Sequence, residues 1–276
     1  MTALPSAPVV LVTGAARRVG RCIALHLAAQ GWRVAIHARH SLDEANATAD
    51  EARRASGHGA AVFVADLADE AACRALVPQV VAQFGRLDAL VNNASLFEFD
   101  DSATLTGERL QRHMATNTLA PLLLTQALAD HLAQRAQAGS GHEPQTQRPW
   151  PCAVHILDQK LHNPNPDHLS YTLSKAALKE AVRLQAMALA PRLRVVGISP
   201  GLTLVSGPMN ETEFDAARRM TPLQRSSTPE DIARAVAYAL DSPALTGCDL
   251  LVDGGQHLMG QGRDVLFLAQ NALSQL

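Results

Sequence analysis

Short apolar, β-branched runs alternate along the chain with longer stretches whose apolar residues recur at helical spacing. The first run, Val9–Val12, stops at Thr13 and Gly14. The next stretch, 18–30, carries Val19, Ile23 and Leu27 on one face before Gly31 closes it. Strands are predicted likewise over Arg33–Ala38, 60–65, 89–91, 153–157, 194–199 and Asp249–Val252, and helices over Leu42–Ser56, 69–84, 171–189, Glu211–Arg219 and 229–240. Strands joined by helix-length segments need crossovers, so the sheet is expected to be parallel with helices on both faces. The fold class is therefore α/β: a single Rossmann-type domain over residues 1–276, with a doubly wound parallel sheet of about seven strands.

Two interruptions qualify this pattern. The stretch 105–136 reads as helical but contains Pro121, which is expected to kink or divide it. The segment 138–151, rich in Gly, Pro, Gln and Ser, reads as a surface insertion, because a buried-type strand resumes directly after it. Thr228, Pro229, Glu230 and Asp231 form a helix start, with proline at the first helical position and acids in the first turn. No internal repeat is visible at a solenoid period.

Composition narrows the class of protein. Hydrophobic residues make up 47% and charged residues 18%, as in globular rather than disordered or collagen-like chains. Lys and Arg number 24 against 26 Asp and Glu, a net charge of −2, so no overall field favours nucleic acid or anionic lipid. No apolar run approaches the roughly 18 residues of a membrane span, and no basic residue precedes the first apolar stretch, so a cytoplasmic protein is expected. Cys22, Cys73, Cys152 and Cys248 are widely spaced and read as reduced thiols.

Candidate chemistry begins at the first turn. Thr13, Gly14, Ala15, Ala16, Arg17, Arg18, Val19 and Gly20 form a glycine-bearing turn that opens a helix, which lets a pyrophosphate approach the backbone and the positive helix end. An ordinary βα turn reads the same way. After the second strand, where an NAD-binding protein is expected to place an acid on the ribose, the chain instead has His37, Ala38, Arg39, His40 and Ser41. With Arg17 and Arg18 these favour a 2′-phosphate and hence NADP(H), the alternative being a solvated basic edge. Tyr171 and Lys175 share a helix face one turn apart, and an ammonium there would lower the phenol's pKa. Asp158 sits just beyond the end of a predicted parallel strand, where open α/β sheets build their sites.

In order and spacing the chain resembles the short-chain dehydrogenase/reductase family over nearly its whole length. The motifs are TGAARRVG, Asp66 and Leu67 after the third strand, Asn92, Asn93, Ala94 and Ser95 after the fourth, Asn117, Tyr171 with Lys175, and Ser199, Pro200 and Gly201. Three positions depart from the common pattern: Arg18 replaces a glycine of the first turn, Ser95 a glycine after the two asparagines, and Asp158 the usual catalytic serine. Together with the run after strand two they resemble the pteridine reductases and the related bacterial dihydromonapterin reductases.

The resemblance implies roles residue by residue. Gly14, Arg17, Arg18, Val19, Gly20, His37, Arg39, His40 and Ser41 would bind the phosphates of NADP(H), and Asp66 and Leu67 the adenine. Asn93, Ala94, Ser95 and Lys175 would line the ribose and nicotinamide, with Pro200, Gly201 and Thr203 beside them. Asn117 would help hold Lys175 through water. Ser95, Phe97, Asp158 and Tyr171 would meet the substrate, Phe97 as the platform for a flat pterin, although Phe97 or Phe99 can equally be an ordinary apolar loop residue. The helix after Tyr171 would pair subunits in a homotetramer.

Asp158 makes chemical sense only for some acceptors. Ketone reduction needs a neutral hydroxyl beside the developing alkoxide, which a carboxylate would repel. Reduction of a C=N bond leaves a nitrogen that must gain a proton, which an Asp–Tyr relay supplies. The leading expectation is an NADPH-dependent pteridine reductase acting on dihydromonapterin, dihydrobiopterin or dihydrofolate. The alternatives are a carbonyl or 3-oxoacyl-thioester reductase of the same family, a degenerate inactive site, and a non-catalytic NADP(H)-sensing module. His155, His162 and His168 with Asp167 do not share a helical face and read as a loop of solvated histidines, so no metal is expected. Trp32 and Trp150 read as anchors of core or loop.

Overall fold

A computed structural model of the protein describes residues 7–138 and 150–275; of the segment 138–151, all but 138, 150 and 151 lies outside the described residues. Among these residues the strands are β1 (Val9–Val12), β2 (Arg33–Ala38), β3 (Ala60–Val64), β4 (Ala89–Asn92), β5 (Cys152–Ile156), β6 (Arg194–Pro200) and β7 (Asp249–Val252). They form one sheet in the order β3-β2-β1-β4-β5-β6-β7, every neighbouring pair parallel. The helices are α1 (Arg18–Ala29), α2 (Leu42–Ser56), α3 (Glu70–Phe84), α4 (Gly107–Met114), α5 (Ala120–Ala138), α6 (Leu169–Leu189), α7 (Glu211–Arg219), α8 (Pro229–Asp241) and α9 (Val265–Ser274).

Successive residues of each central strand serve opposite layers. Val10 and Val12 of β1 pack with Ile23 and Leu27 of α1, Ala45 and Ala49 of α2 and Ile232 of α8. Val9 and Leu11 pack with Leu76 and Val80 of α3 and Leu124 and Leu128 of α5. With both faces covered, these strands read as continuous apolar runs. On that second face α6 lays Leu178, Val182 and Ala186 against Val195 of β6. Truncating a fully buried Leu11 or Leu124 to Ala is expected to cost about 2–5 kcal/mol.

The interruption expected at Pro121 is present, and two other features differ from the sequence reading. The stretch 105–136 divides before Pro121: α4 ends at Met114, a wide π turn spans Ala115–Leu119, and Ala120 N–H reaches back to the Ala115 carbonyl. Pro121 thus falls in the first turn of α5, where its missing N–H costs little. Helix α6 starts two residues earlier than expected, because the buried Asp100 carboxylate accepts the Ser170 N–H at 2.9 Å and the Ser170 hydroxyl, while the Asp100 carbonyl takes the Leu169 N–H at 3.1 Å. Finally, α9 was not anticipated. Asp264 caps it by accepting the Leu266 N–H at 3.1 Å, and Val265, Leu266 and Ala269 pack on Met209 and on Ala217 of α7.

The strand order reverses about β1, which lies between β2 and β4. At that point connections leave the carboxyl ends of the strands in opposite directions and open a crevice.

Candidate active site

Two turns at this crevice are tied together. Thr13 Oγ1 accepts the N–H groups of Asn93 and Ala94, both at 3.0 Å, and Asn93 Nδ2 donates to the Thr13 carbonyl at 2.9 Å. Gly14 has φ +64°, and a Cβ there would sit 3.0 Å from Ala94 Cα. A Cβ on Gly20 would lie 2.3 Å from the Gly14 carbonyl oxygen, so α1 can start against this turn only with glycine at that position. Arg18 adopts φ +57°, the region glycine occupies without strain, at the place where the family pattern has glycine. Its guanidinium donates to the Val205 carbonyl at 2.9 Å, joining the turn to the loop after β6.

A cleft of about 500 Å³ opens here. Gly14, Arg17, Arg18, Val19 and Gly20 line it from the first turn, His37, Arg39, His40 and Ser41 from the end of β2, and Asp66 and Leu67 from the end of β3. Asn93, Ala94 and Ser95 line it from the end of β4. Arg112 of α4 and Thr116 of the π turn complete the wall; nothing in their local sequence marked them. Arg17, Arg18, Arg39 and His40 are exposed, and Arg39 lies 3.8 Å from Asp66. The glycine cradle, the helix start and this basic rim fit a dinucleotide carrying an additional phosphate.

His37 lines the cleft with these residues and also supports the first turn. It is buried, its Nδ1 accepts the Gly14 N–H at 3.1 Å, and its Nε2 bonds the Ala65 carbonyl at 3.1 Å. Burial holds its pKa below the ordinary histidine value, so the neutral ring braces the turn from beneath. Both ring nitrogens are used on backbone, so His37 braces the turn while it lines the cleft.

The second half of the site stands on β5 and α6. Tyr171 hydroxyl donates to Asp158 Oδ2 at 2.7 Å, while Asp158 Oδ1 accepts the Lys160 N–H at 2.8 Å and so caps the 3-10 turn Gln159–Leu161. Desolvation raises the Asp158 pKa, against the hydrogen bonds and lysines that lower it. The Tyr171 phenol is pushed well above its usual value, by burial first and then by Asp158. Lys175 Nζ donates to the Ile156 carbonyl at 2.7 Å and stands 5.9 Å from the Tyr171 ring centroid; burial lowers its pKa to about 8. The phenol is therefore raised, by burial first and then by the carboxyl, where the sequence reading expected Lys175 to lower it.

Asn117, in the π turn, closes on protein partners. Its Oδ1 accepts the Leu96 N–H at 2.7 Å and the Ser95 hydroxyl at 3.3 Å, and its Nδ2 donates to the Leu96 carbonyl at 2.9 Å and the Ser174 hydroxyl at 3.0 Å. The side chain clamps the loop after β4 to α6 next to Lys175. Pro200, Gly201 and Thr203 continue β6: a Cβ on Gly201 would lie 2.8 Å from Asp253 Cα, and the Thr203 hydroxyl pairs with Ser227 at 2.8 Å. None of the three lines the cleft beside Gly14.

Phe97 presents its ring to Tyr171 edge-on, at 4.7 Å and 85°, and stacks on His168 at 4.3 Å and 20°. Phe97 is 42% and Phe99 43% exposed, so neither is a core residue. His168 is the residue missed here: it is buried, sits at φ +55° before α6, bonds the Glu98 carbonyl at 3.2 Å and backs Phe97. The expectation of a loop of solvated histidines holds for His162 alone. His155 lies inside β5, bonded to Asn92 at 3.1 Å and Gln185 at 3.3 Å, with its pKa pushed down by burial to about 4. Among the described residues no group of three or more His, Cys, Asp or Glu side chains is gathered to hold a metal. Trp32 is buried in the core, and the Trp150 carbonyl is held by Arg194 at 3.2 Å.

Fold and site define an α/β enzyme in which the cleft at the strand-order reversal is linked, through Ser95 and Asn117, to a Tyr–Lys–Asp cluster whose three residues do not themselves line it. The family model described as short chain dehydrogenase matches residues 8–217, and the chain belongs to the short-chain dehydrogenase family of oxidoreductases. It is 33% identical to a protein named ketoacyl reductase 2 of the granaticin polyketide synthase from Streptomyces violaceoruber, over 94% of this chain and 99% of that one. It is 31% identical to pteridine reductase 1 of Leishmania tarentolae, over the same shares. A solved structure of FolM alternative dihydrofolate reductase 1 from Brucella canis, complexed with NADP, matches with a TM-score of 0.80 and 38% identity, over 91% of this chain and 95% of that one. Among the described residues no helix is long and apolar enough to cross a membrane.

Proposed function

We propose that the protein is an NADPH-dependent pteridine reductase that reduces the C=N bond of a dihydropterin such as dihydromonapterin, dihydrobiopterin or dihydrofolate. The observation that carries this reading is the 2.7 Å hydrogen bond between Tyr171 and Asp158, beneath the half-exposed ring of Phe97. Gly14, Arg17, Arg18, Gly20, Arg39, His40 and Ser41 would hold the cofactor's phosphates, and Asn93, Ala94, Ser95 and Lys175 its ribose and nicotinamide. When bound, the cofactor supplies the hydride.

The chain's own residues then handle the proton. Burial favours the protonated form of both Asp158 and Tyr171. With Asp158 protonated, the short bond reverses: the carboxyl donates to the phenol oxygen, and the phenol's own proton is free to pass to the acceptor nitrogen as the adjacent carbon is reduced. The Asp158 proton then moves to Tyr171, and solvent reloads Asp158. Lys175 fixes the end of β5 relative to α6 through the Ile156 carbonyl and holds positive charge beside the relay. Phe97 offers a flat acceptor a ring to stack on, worth about 0.5–1.5 kcal/mol beyond buried area. The names pteridine reductase and alternative dihydrofolate reductase among similar proteins support the same substrate class.

A 3-oxoacyl-thioester reductase is the second reading, because a protein named a ketoacyl reductase is equally similar. NADPH consumption with a panel of dihydropterins, dihydrofolate, a β-ketoacyl thioester and simple ketones separates the two. Turnover of a dihydropterin with little on the thioester is expected; the reverse overturns the proposal.

A further inference from the structure

Two residues past Asp158 the chain carries a cation that the relay does not use. Lys160 is 4% exposed, its Nζ donates to the Asp167 carbonyl, and it pairs with Asp264 Oδ2 at 3.5 Å. Asp264 arrives from the far end of the chain and is itself held in place. Its N–H donates to the Asp167 carboxylate at 2.7 Å, the same carboxylate that Arg263 Nε grips at 2.9 and 3.1 Å. Lys160 therefore anchors the turn Gln159–Leu161 at both ends: its backbone N–H fixes Asp158 Oδ1, and its ammonium ties the turn to the C-terminal segment. That leaves Asp158 Oδ2 aimed at the Tyr171 hydroxyl.

A buried ammonium persists only where its partners offset the hydration it has lost, and a methionine would fill the same space without that cost. Retaining the charge has a consequence for the nearest titratable groups. Asp158 faces Tyr171 and Lys175 from α6 and Lys160 from its own turn, whereas Lys160 faces Asp158, Asp167, His168 and Asp264. An isolated ammonium here would draw the proton off Asp158; a carboxylate 3.5 Å from it opposes that pull.

We propose that Lys160 and Asp264 act as a positioning pair for the proton relay, Lys160 anchoring the turn that orients the Asp158 carboxyl and Asp264 offsetting its charge so that Asp158 keeps a proton beside Tyr171. This rests on the reading of Asp158 and Tyr171 as a relay, and the test has one arm that needs no substrate.

The first arm is the pH profile of kcat for a dihydropterin, whose alkaline limb reports loss of the relay proton. Lys160→Met moves that limb to higher pH by about half a unit or more, because a cation that favoured the anion is gone. Asp264→Asn moves it to lower pH by a similar amount, and Lys160→Arg stays near wild type. The second arm places tyrosine labelled with ¹³C at Cζ in a Tyr238→Phe background, which leaves Tyr171 as the only tyrosine of the two in the chain. The Tyr171 resonance then follows Asp158 ionisation by NMR without substrate, and its midpoint shifts in the same opposed directions. NADPH affinity is unchanged in all three variants. A structural role alone would lower kcat without moving the limb, and shifts of the same sign in Lys160→Met and Asp264→Asn, or none, overturn the pair. If Lys160→Met does not fold, Asp264→Asn and Lys160→Arg still decide. If no dihydropterin is turned over but the resonance shifts as expected, the substrate reading fails while the pairing stands.

Discussion

Burial raises the pKa of both Asp158 and Tyr171, which favours the protonated form that the proposed relay requires. Asp158→Asn keeps the size and the capping of the turn but removes the proton store. Turnover of a dihydropterin is expected to fall by roughly 10²-fold or more with NADPH binding intact; near-normal turnover would show that the relay is not used. Phe97→Ala tests the stacking surface separately. It should raise KM for dihydropterins severalfold while leaving NADPH affinity alone, and a larger effect of Phe99→Ala would move the pocket outward along the Phe99–Phe267 contact. Asp158, Tyr171 and Lys175 were legible in the sequence because a strand end and a one-turn helical spacing bring them together. His37 was not: both faces of β2 are buried, so no alternation says which way its ring points. Lys160 and His168 left no sequence signal, since their partners lie on the C-terminal segment and on the loop after β4.

The first crossover, β1 to α1, is built around close approach, and the end of β2 brings the charge that would choose the cofactor. Arg18 holds a strained backbone and a bond to Val205, while Arg39 stands beside Asp66 on the opposite rim. Replacing Arg39, or Arg18, by Ala should weaken NADPH by about tenfold or more, about 1.4 kcal/mol, and NADH far less, because only NADPH has the 2′-phosphate to lose. Equal losses for both nucleotides in a titration would make these arginines general anchors. The order of elements was readable because helix-period and strand-period stretches alternate cleanly, and α8 starts at the proline and acids read at Thr228–Asp231, where the structure adds a reciprocal capping box. The start of α6 was unreadable because its cap comes from Asp100, 70 residues upstream. For α9 the signal existed, an Asp followed by an apolar run, but the helix packs mainly on α7 and Met209, away from the sheet.

Across the whole molecule, buried neutral histidines make stability depend on pH with a definite sign. His37, His155 and His168 sit in different parts of the fold, and burial lowers the pKa of each, His155 to about 4. The unfolded chain takes up these protons near the ordinary value of about 6.5 while the folded chain resists, so their contribution is complete above that pH and lost as pH falls toward 4. His155 alone should remove roughly 3 kcal/mol over that range. The urea midpoint should therefore drop between pH 7 and 5, with a shallower slope in His155→Gln; a flat midpoint would mean the ring is charged in the fold. Assembly is the last property at this scale. Leu173, Leu184 and Met187 lie on one outward face of α6, 46%, 56% and 69% exposed, and α6 is the helix that carries Tyr171 and Lys175. Apolar side chains in a row on that helix are costly to leave in water, and pairing two copies of it about a symmetry axis would cover them. A homotetramer is expected, at four times the monomer mass by light scattering at micromolar concentration. If that face pairs the subunits, Leu184→Glu with Met187→Glu should split the assembly and reduce turnover together, because the same helix carries Tyr171 and Lys175. A monomeric mass for the unaltered protein would show that this face remains uncovered.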